Sequence, residues 1–138
     1  MKLIVNEDGE IAHATGSKTS GGTFTITSIP SLKTTAEGKK IYNGELLFSF
    51  SGGDSSETLG GTGTVVPSTV SGTGSISPSA NKCFDNNNPI VLEGDEGSFT
   101  VLTGTFVPTS TGTPAPLTPL PPTDVLISSA GQNKVYGS

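Results

Sequence analysis

Lys82-Cys83-Phe84-Asp85 is one of three similar tetrapeptides in this chain, each with a lysine, an apolar residue and then an aromatic residue. The other two are Lys40-Ile41-Tyr42-Asn43 and Lys134-Val135-Tyr136-Gly137. In the first two copies a glycine-containing pair, Gly52-Gly53 or Gly94-Asp95, follows the lysine at the same spacing. Three degenerate copies in one small chain predict internal pseudo-threefold symmetry. We therefore expect the three lysines, and likewise the three aromatic residues, to occupy equivalent positions about a pseudo-threefold axis.

The composition around these copies is typical of an all-β protein. Only 31% of the 138 residues are hydrophobic, which is low for a conventional globular core, while 19 glycines and 10 prolines interrupt short runs of strand-forming residues. We expect one all-β domain over residues 1–138, a small conical fold of short strands and hairpins with pseudo-threefold internal repeats. Residues 1–29 would supply N-terminal strands. Residues 108–122, which hold six of the prolines, would form an extended connection to the last repeat.

Charge and cysteine content exclude several classes of function. The net charge is −5, all seven basic residues are lysine, and no run of them is present, so nucleic-acid binding is not expected. A single cysteine excludes an internal disulfide. The apolar run at residues 1–5 is too short for a signal peptide or a membrane span. We therefore expect synthesis in the cytoplasm without a signal peptide.

Residues that could carry catalysis or bind a metal are few. The sole histidine, His13, lacks a nucleophile motif such as Gly-x-Ser-x-Gly, and the carboxylates lie in glycine-rich turns, so we expect no enzyme activity. His13 and Cys83 are weak metal candidates, because a closed zinc site needs four protein ligands. Polar residues at 85–88 and 93–96 could bind calcium through oxygen, but their spacing is not that of an EF-hand, and polar turns are the commoner use.

Residues 79–95 resemble the repeated unit of the PAAR-repeat family: small residues, then Asn or Gly, a strand with an aromatic residue, an Asn-Gly-type turn, a second strand and then Gly-Asp. Tyr42-Asn43-Gly44 is similar to the turn of that unit, and residues 128–137 resemble its closing copy. The similarity covers residues 30–138. It implies a small conical protein that caps the trimeric central spike of a contractile injection machine, a phage tail or a type VI secretion system. The partner would be that spike, one copy per trimer, with transient contact to the host envelope. The location would be the baseplate tip of the virion tail.

The chain departs from the family in two respects. It lacks the Pro-Ala-Ala-Arg tetrad that names the family, and it has no arginine. Family members often hold zinc or iron near the tip through three histidines and one cysteine, a set that one histidine and one cysteine cannot complete. We therefore expect no cofactor, with a zinc or iron at the tip as the remaining alternative.

The resemblance also implies an apolar base that docks on the spike. Ten apolar residues beside the repeats are candidates for the core and for this base, and sequence does not divide them: Leu46, Leu47, Phe48, Phe50, Ile90, Val91, Leu92, Val125, Leu126 and Ile127. A low content of charged residues would lower the cost of passing a bilayer. Two alternatives remain open, a homotrimeric tail spike or fibre segment and a Ser/Thr-rich adhesin or carbohydrate-binding module. The absence of tryptophan argues against the last of these.

Overall fold

The computed structural model describes residues 1–55, 63–116 and 123–138, and within these ranges the chain contains strands and no helix. The prediction of an all-β fold is confirmed. No described segment is a helix long and apolar enough to cross a membrane. The strands are β1 (Lys2–Leu3), β2 (Glu10–His13), β3 (Thr19–Ile26), β4 (Thr35–Ala36), β5 (Lys39–Lys40), β6 (Leu46–Ser55), β7 (Gly63–Val65), β8 (Val70–Ile76), β9 (Phe84–Asp85), β10 (Asn88–Pro89), β11 (Glu96–Thr103), β12 (Thr105–Pro108), β13 (Ala115–Pro116), β14 (Thr123–Ser129) and β15 (Tyr136–Gly137).

Six strands form the main antiparallel sheet, in the order β2-β14-β11-β8-β6-β3. The edge strands β2 and β3 lie close together. The Nε2 of His13 in β2 donates a hydrogen bond to the carbonyl oxygen of Gly21 in β3, at 2.9 Å. Within the described residues no backbone ladder joins these two strands, so the sheet is nearly closed, with one seam.

Three small hairpins, each made of two strands of two residues, lie at one end of this sheet. β4 pairs with β5, β9 pairs with β10, and β15 pairs with β1, so the third hairpin joins the two ends of the described chain. The first two have two-residue turns in which both residues have positive φ, 51° and 78° at Glu37-Gly38 and 51° and 64° at Asn86-Asn87. This is the turn geometry that matches the twist of antiparallel strands. In the third hairpin no turn connects the two strands, and Ser138 and Met1 lie where the other hairpins have their turns.

A three-residue segment follows each hairpin, and these three segments surround the pseudo-threefold axis. We call residues 4–6, 41–43 and 90–92 the axial segments. Their central residues form a closed ring of backbone hydrogen bonds: Val5 donates to Val91 (3.0 Å), Val91 to Tyr42 (3.1 Å) and Tyr42 to Val5 (3.3 Å). The first residue of each segment bridges the last residue of another, Ile4 with Leu92, Ile41 with Asn6 and Ile90 with Asn43. The internal threefold arrangement predicted from the sequence is therefore present within one chain.

Each axial segment joins an incoming and an outgoing strand of the main sheet. β14, hairpin β15-β1 and β2 form one copy, β3, hairpin β4-β5 and β6 a second, and β8, hairpin β9-β10 and β11 the third. The inward face of the sheet follows the period-two pattern of strands, which in β6 buries Leu46, Phe48 and Phe50 and leaves Leu47 exposed. A second cluster, which includes Ile41, Ile90 and Leu92, lies under the hairpins.

The proline-rich connection differs from its prediction. The sequence predicts an extended run over 108–122, whereas β12 pairs with β13 as an antiparallel hairpin, with Phe106 opposite Ala115. β12 also pairs with β7, and the Gly112 N–H donates to the Pro108 carbonyl oxygen at 2.8 Å. Ala115–Pro116 is an edge strand, the position in a sheet where proline is tolerated. Residues 117–122 lie outside the described residues.

Candidate functional site

The three hairpins are tied to one another around the axis, each copy bonding to the hairpin of the next. Thr34 donates through Oγ1 to Oδ1 of Asp85 at 2.5 Å. The backbone N–H groups of Lys82 and Cys83 both donate to the Ser138 oxygen at 2.9 Å. The Asn133 N–H donates to Oε2 of Glu37 at 3.1 Å. These contacts run in one direction around the axis, so the hairpin end is a closed and mutually supported unit.

Asp85 is the most strongly bonded acid in this unit. Besides Thr34, it accepts a 2.6 Å hydrogen bond from Nδ2 of Asn43, which lies in another copy's axial segment. Hydrogen bonds from Ser31 and Thr34 hold the pKa of Asp85 below its ordinary value. Burial opposes this shift, and the bond from Asn43 and the charge of Lys33 make smaller contributions that also lower the pKa. Asp85 is therefore a charged link between two copies.

The structure gives the repeat a different register from the sequence prediction. Lys82 and Lys134 each precede the first strand of a hairpin by two residues, but Lys40 lies in the second strand of its hairpin. The equivalent residue in that copy is Lys33. The backbone agrees, because Ile41, Ile90 and Ile4 donate to the carbonyl oxygens of the residues that follow these lysines, Thr34, Cys83 and Val135. The predicted equivalence of Lys40 with Lys82 and Lys134 is wrong by seven positions.

The corrected register also changes which aromatic residues are equivalent among the copies. Phe84 and Tyr136 are equivalent, each the first residue of a hairpin, and they are 57% and 51% exposed. Tyr42 is instead a buried axial residue, equivalent to Val5 and Val91. Burial, followed by the charges of Glu7 and Asp8, raises the pKa of Tyr42. Its predicted equivalence with Phe84 and Tyr136 is wrong, and it belongs to the core of the axis.

The ten apolar residues proposed for the docking base lie mostly in the interior. Eight are buried to 3% exposure or less: Leu46, Phe48, Phe50, Ile90, Val91, Leu92, Val125 and Ile127. Such side chains cannot contact a partner, so their assignment to an exposed base is wrong and they form the core. Leu47 is 49% exposed and Leu126 is half-buried, so only these two reach the surface.

The two weak metal candidates belong to different parts of the fold. His13 packs edge-on against Phe24 and Phe50, with ring centroids 4.9 and 5.2 Å away, and its Nδ1 lies 3.2 Å from Oγ1 of Thr19. Both of its ring nitrogens are therefore hydrogen-bonded. Cys83 packs in the cluster under the hairpins. Among the described residues no group of three or more histidines, cysteines or acids could hold a metal. The donor set does not fit a zinc or iron site.

The lysines collect at the hairpin end although no basic run exists in the sequence. We call residues 33–40, 82–89, 134–138 and 1–3 the hairpin surface. It contains six of the seven lysines, all exposed: Lys2, Lys33, Lys39, Lys40, Lys82 and Lys134. Its two acids are Glu37 and Asp85, so its formal charge is +4. The remainder of the chain, with ten acids and Lys18, carries −9. The low overall charge therefore conceals a strong separation of sign.

Comparison of the chain with known protein families, with curated proteins and with solved structures gives no match.

Proposed function

We propose that this chain is a non-enzymatic cap that seats one copy on the end of a trimeric shaft. In this role it would resemble the PAAR-repeat proteins that end the central spike of contractile tails. The observation that carries the proposal is the closed ring of hydrogen bonds among Val5, Val91 and Tyr42. Oligomers close by symmetry, and a trimer presents the same contact three times around its axis. A single chain built from three equivalent copies could meet all three contacts at once.

The shaft would bind at the end of the main sheet opposite the hairpins. At that end the chain passes from one copy to the next, after His13, after Ser55 and after Thr103. The small sheet β13-β12-β7 belongs to two of these connections. The hairpin end is an unsuitable seat, because it is closed by its own hydrogen bonds and carries six exposed lysines. This orientation would direct the hairpins outward, toward a target envelope.

The test is the mass of the lone chain and of its complex. Light scattering after size exclusion should give 13.9 kDa for the chain alone. After mixing with a trimeric central spike protein of a contractile tail, the complex should contain one copy per trimer, while an unrelated trimeric β-fibre should bind none. A lone chain three times as heavy would instead favour the homotrimeric spike or fibre segment. A monomer that binds the spike in a ratio other than one per trimer would overturn the cap.

A further inference from the structure

Exposed apolar side chains accompany the lysines of the hairpin surface. Met1, Phe84 and Tyr136 all lie on this surface, at 92%, 57% and 51% exposure. Ile29 and Leu32, at 86% and 82%, lie in the loop that leads into it. Together these are five of the seven large apolar side chains that are exposed among the described residues. Apolar side chains are thus concentrated where the positive charge is.

Acidic residues bound this surface on its inner side. The turns that follow the axial segments carry Glu7, Asp8, Glu45 and Glu93. Backbone hydrogen bonds fix the position of these turns. The backbone N–H of Glu7 donates to the Lys40 carbonyl oxygen (2.9 Å), and the backbone N–H of Glu93 donates to the Leu3 carbonyl oxygen (2.8 Å). The positive charge is therefore confined to the outermost hairpins, and the next level of the fold is negative.

We propose that the hairpin surface binds the anionic headgroups of a lipid bilayer. Clustered lysines are attracted to a negatively charged leaflet, and exposed aromatic and apolar side chains add to binding at the interface. Lysine is a point charge on a flexible stem, which suits a diffuse layer of phosphates, whereas arginine, absent here, provides bidentate phosphate recognition. The surface consists of three hairpin ends around an axis, rather than the positive groove expected for a single-stranded nucleic acid.

The acidic turns behind the hairpins would limit how far the surface enters the headgroup layer, because carboxylates are repelled by anionic lipid. The hairpins should therefore contact the bilayer while the main sheet stays outside it. As an account of envelope contact, this inference rests on the proposed function. Binding is measured on the lone chain, however, so a failure here is distinct from a failure to bind a trimeric spike.

The experiment is co-flotation of the chain with vesicles of phosphatidylcholine alone or with about 30% phosphatidylglycerol. We expect binding to the anionic vesicles, weakened by salt, and little binding to the neutral ones. The triple variant Lys39→Gln, Lys40→Gln, Lys82→Gln should bind roughly 100-fold more weakly, at about fivefold per lysine. Phe84→Ser with Tyr136→Ser should weaken binding about tenfold and should do so even at high salt. Thermal unfolding checks that each variant is folded.

The matched control is Lys18→Gln, which removes a lysine from the connection between β2 and β3, outside the hairpin surface. It should leave vesicle affinity unchanged within about twofold. Equal binding to neutral and anionic vesicles would overturn the proposal, as would a triple variant that floats like the wild type. A single-stranded DNA probe that binds more tightly than the anionic vesicles, and loses affinity in the triple variant, would assign the surface to nucleic acid instead.

Discussion

Replacing Asp85 with asparagine tests whether the links between copies hold the hairpin end together. In the wild type the carboxylate accepts hydrogen bonds from Thr34 at 2.5 Å and from Asn43 at 2.6 Å. An amide has one acceptor oxygen, which can keep the bond from Asn43, while its NH₂ group can donate to the Thr34 hydroxyl, so the substitution removes the negative charge from both bonds. A hydrogen bond to a charged group contributes about 1.5–3 kcal/mol. Because Asp85 is partly exposed and screened by solvent, we expect a loss of about 1–2 kcal/mol at pH 7.

The pH dependence follows from the lowered pKa of Asp85. A carboxyl group with a depressed pKa in the folded state adds stability above its unfolded pKa, here about 3.8, and that stability is lost as pH falls through the folded value. The difference in free energy of unfolding between the wild type and Asp85→Asn should therefore have its full value at pH 7 and should shrink toward zero near pH 2. Chemical denaturation at several pH values measures it.

Two further variants make this experiment decisive. Asp124→Asn removes an exposed acid from β14 and should change the free energy of unfolding by less than about 0.5 kcal/mol. Thr34→Val should couple to Asp85→Asn by about 1 kcal/mol in a double-mutant cycle, since the two residues are in contact. Equal effects of Asp85→Asn and Asp124→Asn at pH 7, or an Asp85→Asn deficit that stays constant to pH 2, would refute the reasoning.

Two more predictions concern the axis and the last copy. Burial and the charges of Glu7 and Asp8 raise the pKa of Tyr42, so the neutral phenol stabilises the fold below about pH 10 and that contribution is lost as pH rises further. The melting temperature of Tyr42→Phe should therefore fall less between pH 9 and pH 11 than that of the wild type. The melting temperature of Tyr136→Phe, a change at an exposed site, should fall as much as that of the wild type. Deleting residues 125–138 removes most of β14, a strand that lies between β2 and β11, and should abolish the cooperative thermal transition in circular dichroism. A truncated chain that keeps this transition would show that the tail is an arm rather than a third of the fold.

Local patterns were sufficient to predict the fold class. The alternation of β6 from Leu46 to Phe50 and the glycine and proline punctuation indicate short strands, and the structure has them. Gly72 and Gly74 lie within β8, and the reason for these glycines appears only in the sheet. A side chain at Gly74 would come within 2.5 Å of the Phe99 Cβ and 2.2 Å of the Ser98 carbonyl oxygen. Small residues there allow the large rings on neighbouring strands to pack.

The threefold repeat could be predicted from the sequence, but its register could not. Tyr42 follows an isoleucine and a lysine, as Phe84 and Tyr136 follow an apolar residue and a lysine, so the three stretches align by residue type. Tyr42 is nevertheless an axial residue whose counterparts are valines. The copy that contains hairpin β15-β1 is also divided, because β15 and β1 lie at opposite ends of the sequence. No contiguous stretch of sequence therefore contains the complete unit of that copy.

The positive charge of the hairpin surface could not be predicted from the sequence, because this surface too is assembled from separate stretches of the chain. Lys33, Lys82 and Lys134 are far apart in sequence and lie at the same end of the fold only because each precedes a hairpin and the three hairpins surround the axis. An ion pair of 3.4 Å between Lys134 and Glu37 at this end joins residues of different copies. Charge patterning along the sequence reports runs, whereas this surface is built by topology. Sequence alone therefore predicted no basic partner surface.

Covalent linkage of the three copies allows an arrangement that three identical chains cannot adopt. In a homotrimer every axial residue and every link would be the same, whereas here the axis holds one tyrosine and two valines. The links likewise use a different acceptor at each step, the side chains of Asp85 and Glu37 and the Ser138 oxygen. Tyr42, Val5 and Val91 all belong to the same buried cluster, so side chains of different size pack together there. Internal pseudosymmetry thus keeps a threefold backbone arrangement while the centre is packed as an asymmetric core.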